Sequence, residues 1–334
     1  MQDTHISLAH GNGGRYMREL IEELFARHLA NDRLDIQVDA ASLSLDSREV
    51  IFTTDGFTVQ PLEFPGGDIG SLAVHGTTND LAVAGAIPKY LSLNAFIEEG
   101  LEIAQLDRII SSLARAANYA GVKIVAGDTK VLRRGEGGGL YLATTGIGYR
   151  DPGMNLGLDR IRDGDLMLVS GSVGGHGISV LLAREQFGLR GDLKSDSANV
   201  LPLTRVLSGV EGLHFMRDPT RGGLATVCHE LVRATGIGVS IRQTDIPISD
   251  PVQSVCDMLG YDPLFLACEG RVVAIADPGQ AQHILAQWRA LPEGENAAII
   301  GRMDANLSRV VLKTDLGGER ILEELEDDPL PRIC

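Results

Sequence analysis

The chain has 334 residues, of which 44% are hydrophobic, and a formal net charge of −15. This length is sufficient for two domains with separate cores. The acidic balance argues against a protein that binds a nucleic-acid backbone, which needs clustered Lys and Arg. The N-terminus lacks a basic segment followed by an apolar one, and no apolar run approaches the roughly 18 residues of a membrane span. We therefore expect a cytoplasmic protein that binds neither nucleic acid nor membranes.

The first half of the chain predicts strands that alternate with turns and helices. A strand-like start at residues 5–9 leads to His10-Gly11-Asn12-Gly13-Gly14, and helical spacing of apolar residues from Met17 to Phe25 follows this turn. A glycine-rich turn that opens a helix directs backbone N–H groups at an anion. Strands are predicted over 50–54, 90–97, 122–126 and 140–149, helices over 70–86 and 102–120, and a mobile hairpin loop over 133–139. The alanine and glycine of the helix at 70–86 favour close packing against another element.

The second half begins after Asp151-Pro152-Gly153 and repeats this pattern. A strand over 166–170 leads into the glycine-rich turn 171–177, and another helix opens after Asp218 and Thr220, its N-cap candidates. Because strand–helix units recur, we predict an α/β (α+β) protein of two domains, 1–154 and 155–320, each a mixed sheet backed by helices. Residues 321–334 are predicted to form a flexible tail.

The cysteines fall into two groups. Cys228, Cys256 and Cys268 have no CxxC spacing, so we expect them to be core residues and not zinc ligands. Cys334 instead ends the segment Pro329-Leu330-Pro331-Arg332-Ile333-Cys334, which two prolines keep extended over roughly 20 Å. The tail is either a frayed terminus with a chance cysteine or a mobile arm whose thiolate carries a substrate.

Four aspartates carry the remaining chemical signal. Asp55, Asp80 and Asp128 lie at predicted strand ends or in the small-residue helix, and Asp218 lies in the second half. Carboxylate oxygens without histidine or thiolate partners suit Mg²⁺, which bridges to phosphates. Each aspartate alone is more consistent with a turn or a cap than with a metal ligand. Together with two glycine-rich turns, they indicate a Mg-nucleotide-dependent protein.

Seven motifs occur in a fixed order along the chain: His10-Gly11-Asn12-Gly13-Gly14, Thr53-Thr54-Asp55, Phe64-Pro65-Gly66-Gly67, Thr78-Asn79-Asp80-Leu81-Ala82, Gly127-Asp128-Thr129-Lys130-Val131, Arg217-Asp218-Pro219-Thr220-Arg221-Gly222-Gly223 and Pro331-Arg332-Ile333-Cys334. Together they resemble the HypE family of hydrogenase-maturation carbamoyl dehydratases over essentially the whole chain. The wider set resembles aminoimidazole ribonucleotide synthetase, selenophosphate synthetase and thiamine-monophosphate kinase, and the terminal motif singles out HypE. The resemblance implies the two-domain aminoimidazole ribonucleotide synthetase-like fold and a homodimer whose first domains share the nucleotide cleft.

The resemblance also implies a reaction. A HypF-like carbamoyltransferase places a carbamoyl group on the Cys334 sulfur as a thiocarboxamide, and ATP with Mg²⁺ phosphorylates its oxygen. Loss of phosphate and removal of the nitrogen protons leave a thiocyanate. The cyano group then passes to iron on a HypC–HypD-like scaffold during [NiFe] hydrogenase assembly.

The same resemblance assigns site residues. The metal and phosphate ligands would be Asp55, Asp80, Asp128 and Asp218, and the other nucleotide-binding residues His10, Asn12, Gly13, Gly14, Asn79 and Thr129. Lys130, two residues after Asp128, points to the same face of an extended segment. It is interpreted as a neutraliser of charge on the phosphorylated intermediate, a proton acceptor or an exposed surface lysine. Glu269 is the candidate base, the orienter of Lys130 or a turn carboxylate, and His176 is interpreted as structural.

Other functions remain open on these residues. A selenophosphate synthetase would carry cysteine or selenocysteine in the N-terminal glycine loop, where this chain has His10 and Asn12. A small-molecule kinase would not need the terminal cysteine. A non-catalytic maturation scaffold would leave the aspartates and glycine turns unexplained.

Overall fold

The computed structural model describes residues 3–12, 14–37, 40–41, 43–44, 49–184 and 193–325. The chain divides into two compact units. The first runs to Leu81 and resumes over Ile87–Arg150, and the second contains Ala82–Ala86 and the described chain from Asp151 to Leu325. The C-terminal residues 326–334, including Cys334, lie outside the described residues.

The first unit contains a four-stranded sheet with the order β1-β6-β4-β5 and a two-stranded β2-β3 ribbon. Its elements are α1 (Arg15–Leu20), α2 (Arg27–Leu29), β1 (Val50–Phe57), β2 (Glu63–Phe64), β3 (Gly67–Asp68), α3 (Ile69–Val83), β4 (Ala86–Glu98), α4 (Ile103–Ala120), β5 (Lys123–Leu132) and β6 (Leu140–Arg150). β1 pairs antiparallel with β6, and β4 pairs parallel with β5. The sheet is therefore mixed.

Close packing of α3 explains its small residues. A Cβ at Gly70 would collide with the carbonyl oxygen of Ile109 in α4, and one at Gly76 would lie 2.8 Å from the Phe57 ring. Asp68 accepts hydrogen bonds from the N–H groups of Gly70 and Ser71 at the start of the helix, at 2.8 and 2.9 Å. The predicted close approach of this helix to its neighbours is confirmed.

The N-terminal segment differs from its prediction. The expected strand at residues 5–9 is reduced to a single bridge between His5 and Glu102, and a 3-10 helix occupies Leu8–Gly11. The predicted helix after the glycine turn is present, but π-helical turns over Ile21–Ala26 separate α1 from α2. The Ser7 N–H donates to Nδ1 of His10 at 3.1 Å, a local bond that favours a turn over continued strand pairing.

The second unit contains a seven-stranded sheet with the order β13-β12-β9-β11-β7-β10-β8. Its elements are β7 (Leu166–Val169), α5 (Gly175–Arg184), α6 (Leu201–Arg205), β8 (Leu213–Arg217), α7 (Gly223–Thr235), β9 (Gly238–Arg242), α8 (Asp250–Leu259), β10 (Val273–Ala276), α9 (Pro278–Arg289), β11 (Ala298–Asp304), β12 (Val310–Lys313) and β13 (Glu319–Ile321). β12 pairs parallel with β9, and the other recorded pairings are antiparallel.

Helices cover both faces of this second sheet. α7 contributes Cys228 and Leu231 to a core on one face, and α9 contributes Trp288 to a core on the other. The Trp288 side chain is fully buried, and its Nε1 donates to the carbonyl oxygen of Leu203 at 2.9 Å. Both units are thus mixed sheets backed by helices, which confirms the predicted fold class. Among the described residues, no helix has the length and apolar character to cross a membrane.

Candidate active site

The first group of predicted site residues lies where β1 faces α3. The Thr53 hydroxyl donates to Oδ2 of Asp80 at 2.9 Å. Asp55 follows on the same face of β1, and its Oδ2 would lie 3.5 Å from a Cβ at Gly76. Asn79, one residue before Asp80, is 1% exposed. The strand and helix therefore bring two of the four predicted metal ligands to one side of the sheet.

The second group lies on β5. The Lys130 Nζ is 2.7 Å from Oδ2 of Asp128, which confirms that the two side chains share a face. The hydrogen bond from Lys130 lowers the pKa of the Asp128 carboxyl below its usual value, against a smaller opposing effect of burial. Both side chains are more than half exposed, so a ligand can reach this ion pair.

β5 is longer than the sequence predicted. The strand was expected to end at residue 126, but it continues through Asp128 and Lys130 to Leu132. A Cβ at Gly127 would collide with the carbonyl oxygen of Leu93 in β4. The glycine thus permits two paired strands to approach closely and does not end the strand.

Thr129 points to the other face of β5 and is 7% exposed. Its hydroxyl is buried and has no hydrogen-bond partner among the described residues. The residue lines a cavity of about 110 Å³. The apolar walls of this cavity include Phe25, Leu29, Leu93 and Ile124. An unsatisfied buried hydroxyl is costly, so a ligand that supplies a hydrogen bond here would be stabilised.

The N-terminal glycine turn packs on the end of β5. A Cβ at Gly11 would lie 2.8 Å from Cβ of Val131, so the turn backbone packs closely against the Val131 side chain. His10 is fully buried, and its Nδ1 accepts the Ser7 N–H. Its Nε2 lies 3.3 Å from the Asp3 carboxylate.

The other residues of this turn are exposed to different degrees. Asn12 is exposed, and Gly14 is the N-cap of α1, where its carbonyl oxygen accepts the Arg18 N–H at 3.1 Å. Gly13 lies outside the described residues. The turn is therefore positioned on the face of β5 that carries Thr129 and Val131, opposite to the face of the Asp128–Lys130 pair.

A single chain keeps these two groups apart. β1 and β5 are the two edge strands of the sheet, three strand spacings or about 14 Å from each other. Asp55 faces α3. Thr129 is buried on the helix side of β5, and since successive strand residues point to opposite faces, Asp128 faces away from the helices. No group of three or more His, Cys, Asp or Glu within the described ranges is arranged to hold a metal ion.

The second unit brings its predicted residues into one cluster around the glycine-rich turn 171–177. The Cys268 N–H donates to the carbonyl oxygen of Pro219 at 3.0 Å, and the Gly177 N–H donates to that of Ala267 at 3.1 Å. Asp218 and Glu269, the neighbours of these residues, are 5% and 3% exposed. Two predicted site residues of this unit are thus buried in adjoining segments.

α7 does not start where the sequence indicated. Neither Asp218 nor Thr220 is its N-cap, since the helix begins after Gly222, which has a positive φ of 70° and makes no side-chain cap. A Cβ at Gly223 would lie 2.6 Å from the carbonyl oxygens of Leu264 and Leu266. This close contact sets the helix start, so Asp218 is left to serve another role.

The internal cysteines are structural in character. Cys228, Cys256 and Cys268 are buried, which confirms the expectation that they are core residues. Burial raises the pKa of the Cys228 and Cys256 thiols to about 12, and it raises that of Cys268 further. The Cys268 Sγ accepts the N–H of Gly174 at 3.1 Å. These thiols are therefore held protonated and do not provide a nucleophile.

His176 is also structural in its surroundings. The ring is fully buried, and its Nδ1 lies 2.8 Å from the Ser195 hydroxyl. Sequence reasoning missed two other residues of this cluster, Asp196 and Arg271, because isolated charged residues have no informative spacing. The structure places Asp196 against the Glu269 backbone, and Arg271 against Asp196.

Comparison with known proteins extends this picture. The sequence matches the family of AIR synthase related proteins, with the N-terminal domain over residues 37–149 and the C-terminal domain over 162–313. It is 46% identical to the carbamoyl dehydratase HypE of Azotobacter vinelandii, over 100% of this chain and 98% of that protein.

Two solved structures show the same similarity in three dimensions. A crystal structure of the hydrogenase maturation protein HypE in complex with ATP superposes with a TM-score of 0.93 at 42% identity, over 98% of this chain and 99% of that one. HypE in a HypE–HypF complex gives a TM-score of 0.81 at 39% identity, over 92% and 99%. With two AIR synthase related domains and full-length similarity of sequence and fold, the chain belongs to the HypE family of carbamoyl dehydratases.

Proposed function

We propose that this protein dehydrates a carbamoyl group carried as a thiocarboxamide on Cys334, at the expense of ATP, and delivers the resulting cyano group to iron during [NiFe] hydrogenase assembly. The observation that carries the proposal is the full-length similarity to HypE carbamoyl dehydratases. The C-terminal cysteine supplies the sulfur that the substrate needs.

The chemistry balances with ATP as the only co-reactant. Hydroxide is a poor leaving group, so the carbamoyl oxygen first attacks the γ-phosphorus of ATP and releases ADP. Loss of the nitrogen protons then forms the C≡N bond as the C–O bond breaks, and phosphate leaves with the oxygen. The sulfur stays bonded to carbon throughout, so the product remains attached to Cys334 as a thiocyanate.

Nucleotide binding is assigned to the first unit. The carboxylates of Asp55 and Asp80 supply hard oxygen donors of the kind that Mg²⁺ prefers, and Asp128 supplies a third on the other edge strand. Mg²⁺ held there would neutralise phosphate charge. The Thr129 hydroxyl, which has no partner in the described structure, is available to hydrogen-bond the nucleotide. His10, Asn12, Gly13, Gly14 and Asn79 complete the proposed binding set, and the family resemblance also assigns Asp218 to nucleotide and metal binding.

Lys130 and Glu269 are assigned different roles. The Lys130 ammonium lies beside the Asp128 carboxylate, a setting that suits a group neutralising the charge of the phosphorylated intermediate. Glu269 is a carboxylate that is 3% exposed, and a positioned carboxylate can accept the proton that the substrate nitrogen loses. We therefore assign Glu269 as the acceptor of a nitrogen proton.

The first sheet supports assembly as a homodimer. The face of this sheet away from the helices carries Phe52, which is 64% exposed, and Phe96, which is 37% exposed. Exposed aromatic side chains on a sheet face are typical of an interface. Pairing of two copies would also give each Asp128–Lys130 pair new neighbours from the other copy.

Two further partners are proposed from the chemistry. A carbamoyltransferase must load Cys334, and HypF is the candidate because HypE is known in complex with it. The cyano group needs an iron-binding acceptor, for which a HypC–HypD-like scaffold is proposed. Cys334 must reach donor, ATP and acceptor in turn, which the extended tail predicted from its two prolines would allow.

The test is a mass measurement on the C-terminal peptide. Protein carbamoylated on Cys334 is incubated with ATP and Mg²⁺, and the peptide is expected to lose one water only when ATP is present. Extension of the chain by one residue after Cys334 is expected to abolish this conversion without unfolding the protein. Full carbamoylation with no ATP-dependent loss of water would refute the proposed reaction.

A further inference from the structure

Asp196 contacts both sides of the loop that carries Glu269. The Asp196 side chain is 4% exposed and lies with Oδ2 3.5 Å from Nε of Arg271. Its Oδ1 accepts the N–H of Glu269 at 3.3 Å. One buried carboxylate therefore contacts the residues on both sides of Gly270.

Arg271 uses its guanidinium on backbone carbonyls. Nε donates to the carbonyl oxygen of Ser172 in the glycine-rich turn at 2.9 Å, and Nη1 donates to that of Gly270 at 3.3 Å. The side chain is only 20% exposed. A half-buried charge of this kind needs a partner, which Asp196 provides. The pair thus joins the glycine-rich turn to the segment that contains Glu269.

The segment after Asp196 closes on the same loop. The Ala198 N–H donates to the carbonyl oxygen of Glu269 at 3.3 Å. A Cβ at Gly270 would collide with the carbonyl oxygen of Asp196, so no larger residue fits between the two segments. Both the N–H and the C=O of Glu269 are therefore fixed by residues 196–198.

We propose that Asp196 and Arg271 are positioning residues that set the direction of the Glu269 carboxylate. This inference rests on the proposed role of Glu269 as proton acceptor. A base must lie within hydrogen-bond reach of the proton that it removes. A displacement of about 1 Å at such a group costs on the order of 100-fold in rate. Neither residue needs to touch the substrate to have this effect.

The test uses single-turnover dehydration of the carbamoylated full-length protein at several ATP concentrations. Asp196→Ala is expected to lower the rate constant at saturating ATP on the order of 10- to 100-fold. The ATP concentration that gives half-maximal rate should stay unchanged, because the nucleotide is assigned to other residues. Asp196→Asn keeps an oxygen that can accept the Glu269 N–H, so it should restore part of the lost rate.

A matched control comes from another buried pair in the same unit. Asp165 is 3% exposed and lies 2.7 Å from Nδ1 of His214. Asp165→Asn should lower the melting temperature while leaving the rate per folded molecule unchanged. Full activity in folded Asp196→Ala, with Glu269→Gln inactive, would overturn the positioning role alone. Full activity in Glu269→Gln would overturn the role of Glu269 as base, and the positioning role with it.

Discussion

The hydrogen bond between Thr53 and Asp80 offers a sharp test of the nucleotide site. Thr53→Val keeps the branched shape of the side chain but removes the hydroxyl that donates to Oδ2 of Asp80 at 2.9 Å. Hydrogen bonds to charged groups contribute about 1.5–3 kcal/mol. Both residues are only partly buried, so water replaces part of this bond. We expect the unfolding free energy to fall by about 1.5 kcal/mol, the lower end of that range.

The effect on ATP should follow from the same bond. Without the Thr53 hydroxyl, the Asp80 carboxylate can take up more orientations. Part of the free energy of ATP binding is then used to hold the carboxylate in the orientation that binds. We expect the dissociation constant for ATP with Mg²⁺ to rise roughly five- to tenfold, since a factor of ten corresponds to about 1.4 kcal/mol. Titration calorimetry with a non-hydrolysable ATP analogue measures this change, and urea unfolding measures the stability.

The neighbouring residue supplies the control. Thr54 lies on the same strand, but its hydroxyl donates to the carbonyl oxygen of Thr144 and lies beside the Thr145 hydroxyl, each at 3.2 Å. Thr54→Val makes the same chemical change on the face away from Asp80. It should leave nucleotide affinity unchanged. Equal losses in the two variants, or wild-type affinity in Thr53→Val, would refute the assignment of Asp80 to the nucleotide.

Two further predictions concern stability. Trp288→Phe removes the buried hydrogen bond to the carbonyl oxygen of Leu203 and leaves a small cavity, so the unfolding free energy should fall by about 2–3 kcal/mol. Urea unfolding must be followed by circular dichroism, because the variant lacks the one tryptophan of the chain and its fluorescence. An unchanged urea midpoint would contradict the prediction. Burial raises the pKa of Asp68, so its contribution to stability is present below the unfolded pKa and is lost as pH rises through the folded one. Asp68→Asn keeps an oxygen that can accept the N–H groups of Gly70 and Ser71 but does not titrate. As pH rises through that range, the urea midpoint of the variant should therefore increase relative to that of the wild type. A relative decrease would contradict the prediction.

The pattern of side chains along β5 was predictable, whereas the extent of the strand was not. Alternation with period two placed Lys130 on the face of Asp128, and the structure shows the ion pair at 2.7 Å. The apolar run predicts a strand only to residue 126, immediately before Gly127. Leu93, whose carbonyl oxygen needs the space beside Gly127, is 34 positions away, and no local pattern reveals such a neighbour.

The start of α7 was mispredicted for the same physical reason. Local capping rules favoured Asp218 or Thr220, but contact of Gly223 with the carbonyl oxygens of Leu264 and Leu266 sets the start of the helix. Asp218 is therefore not a helix cap, so capping does not explain why this carboxylate is buried at 5% exposure. In both places a glycine close to a predicted aspartate lets a backbone segment that is distant in the sequence approach closely. The glycines of the motifs therefore do more than form turns, because they set the distance between segments from which the proposed site is built.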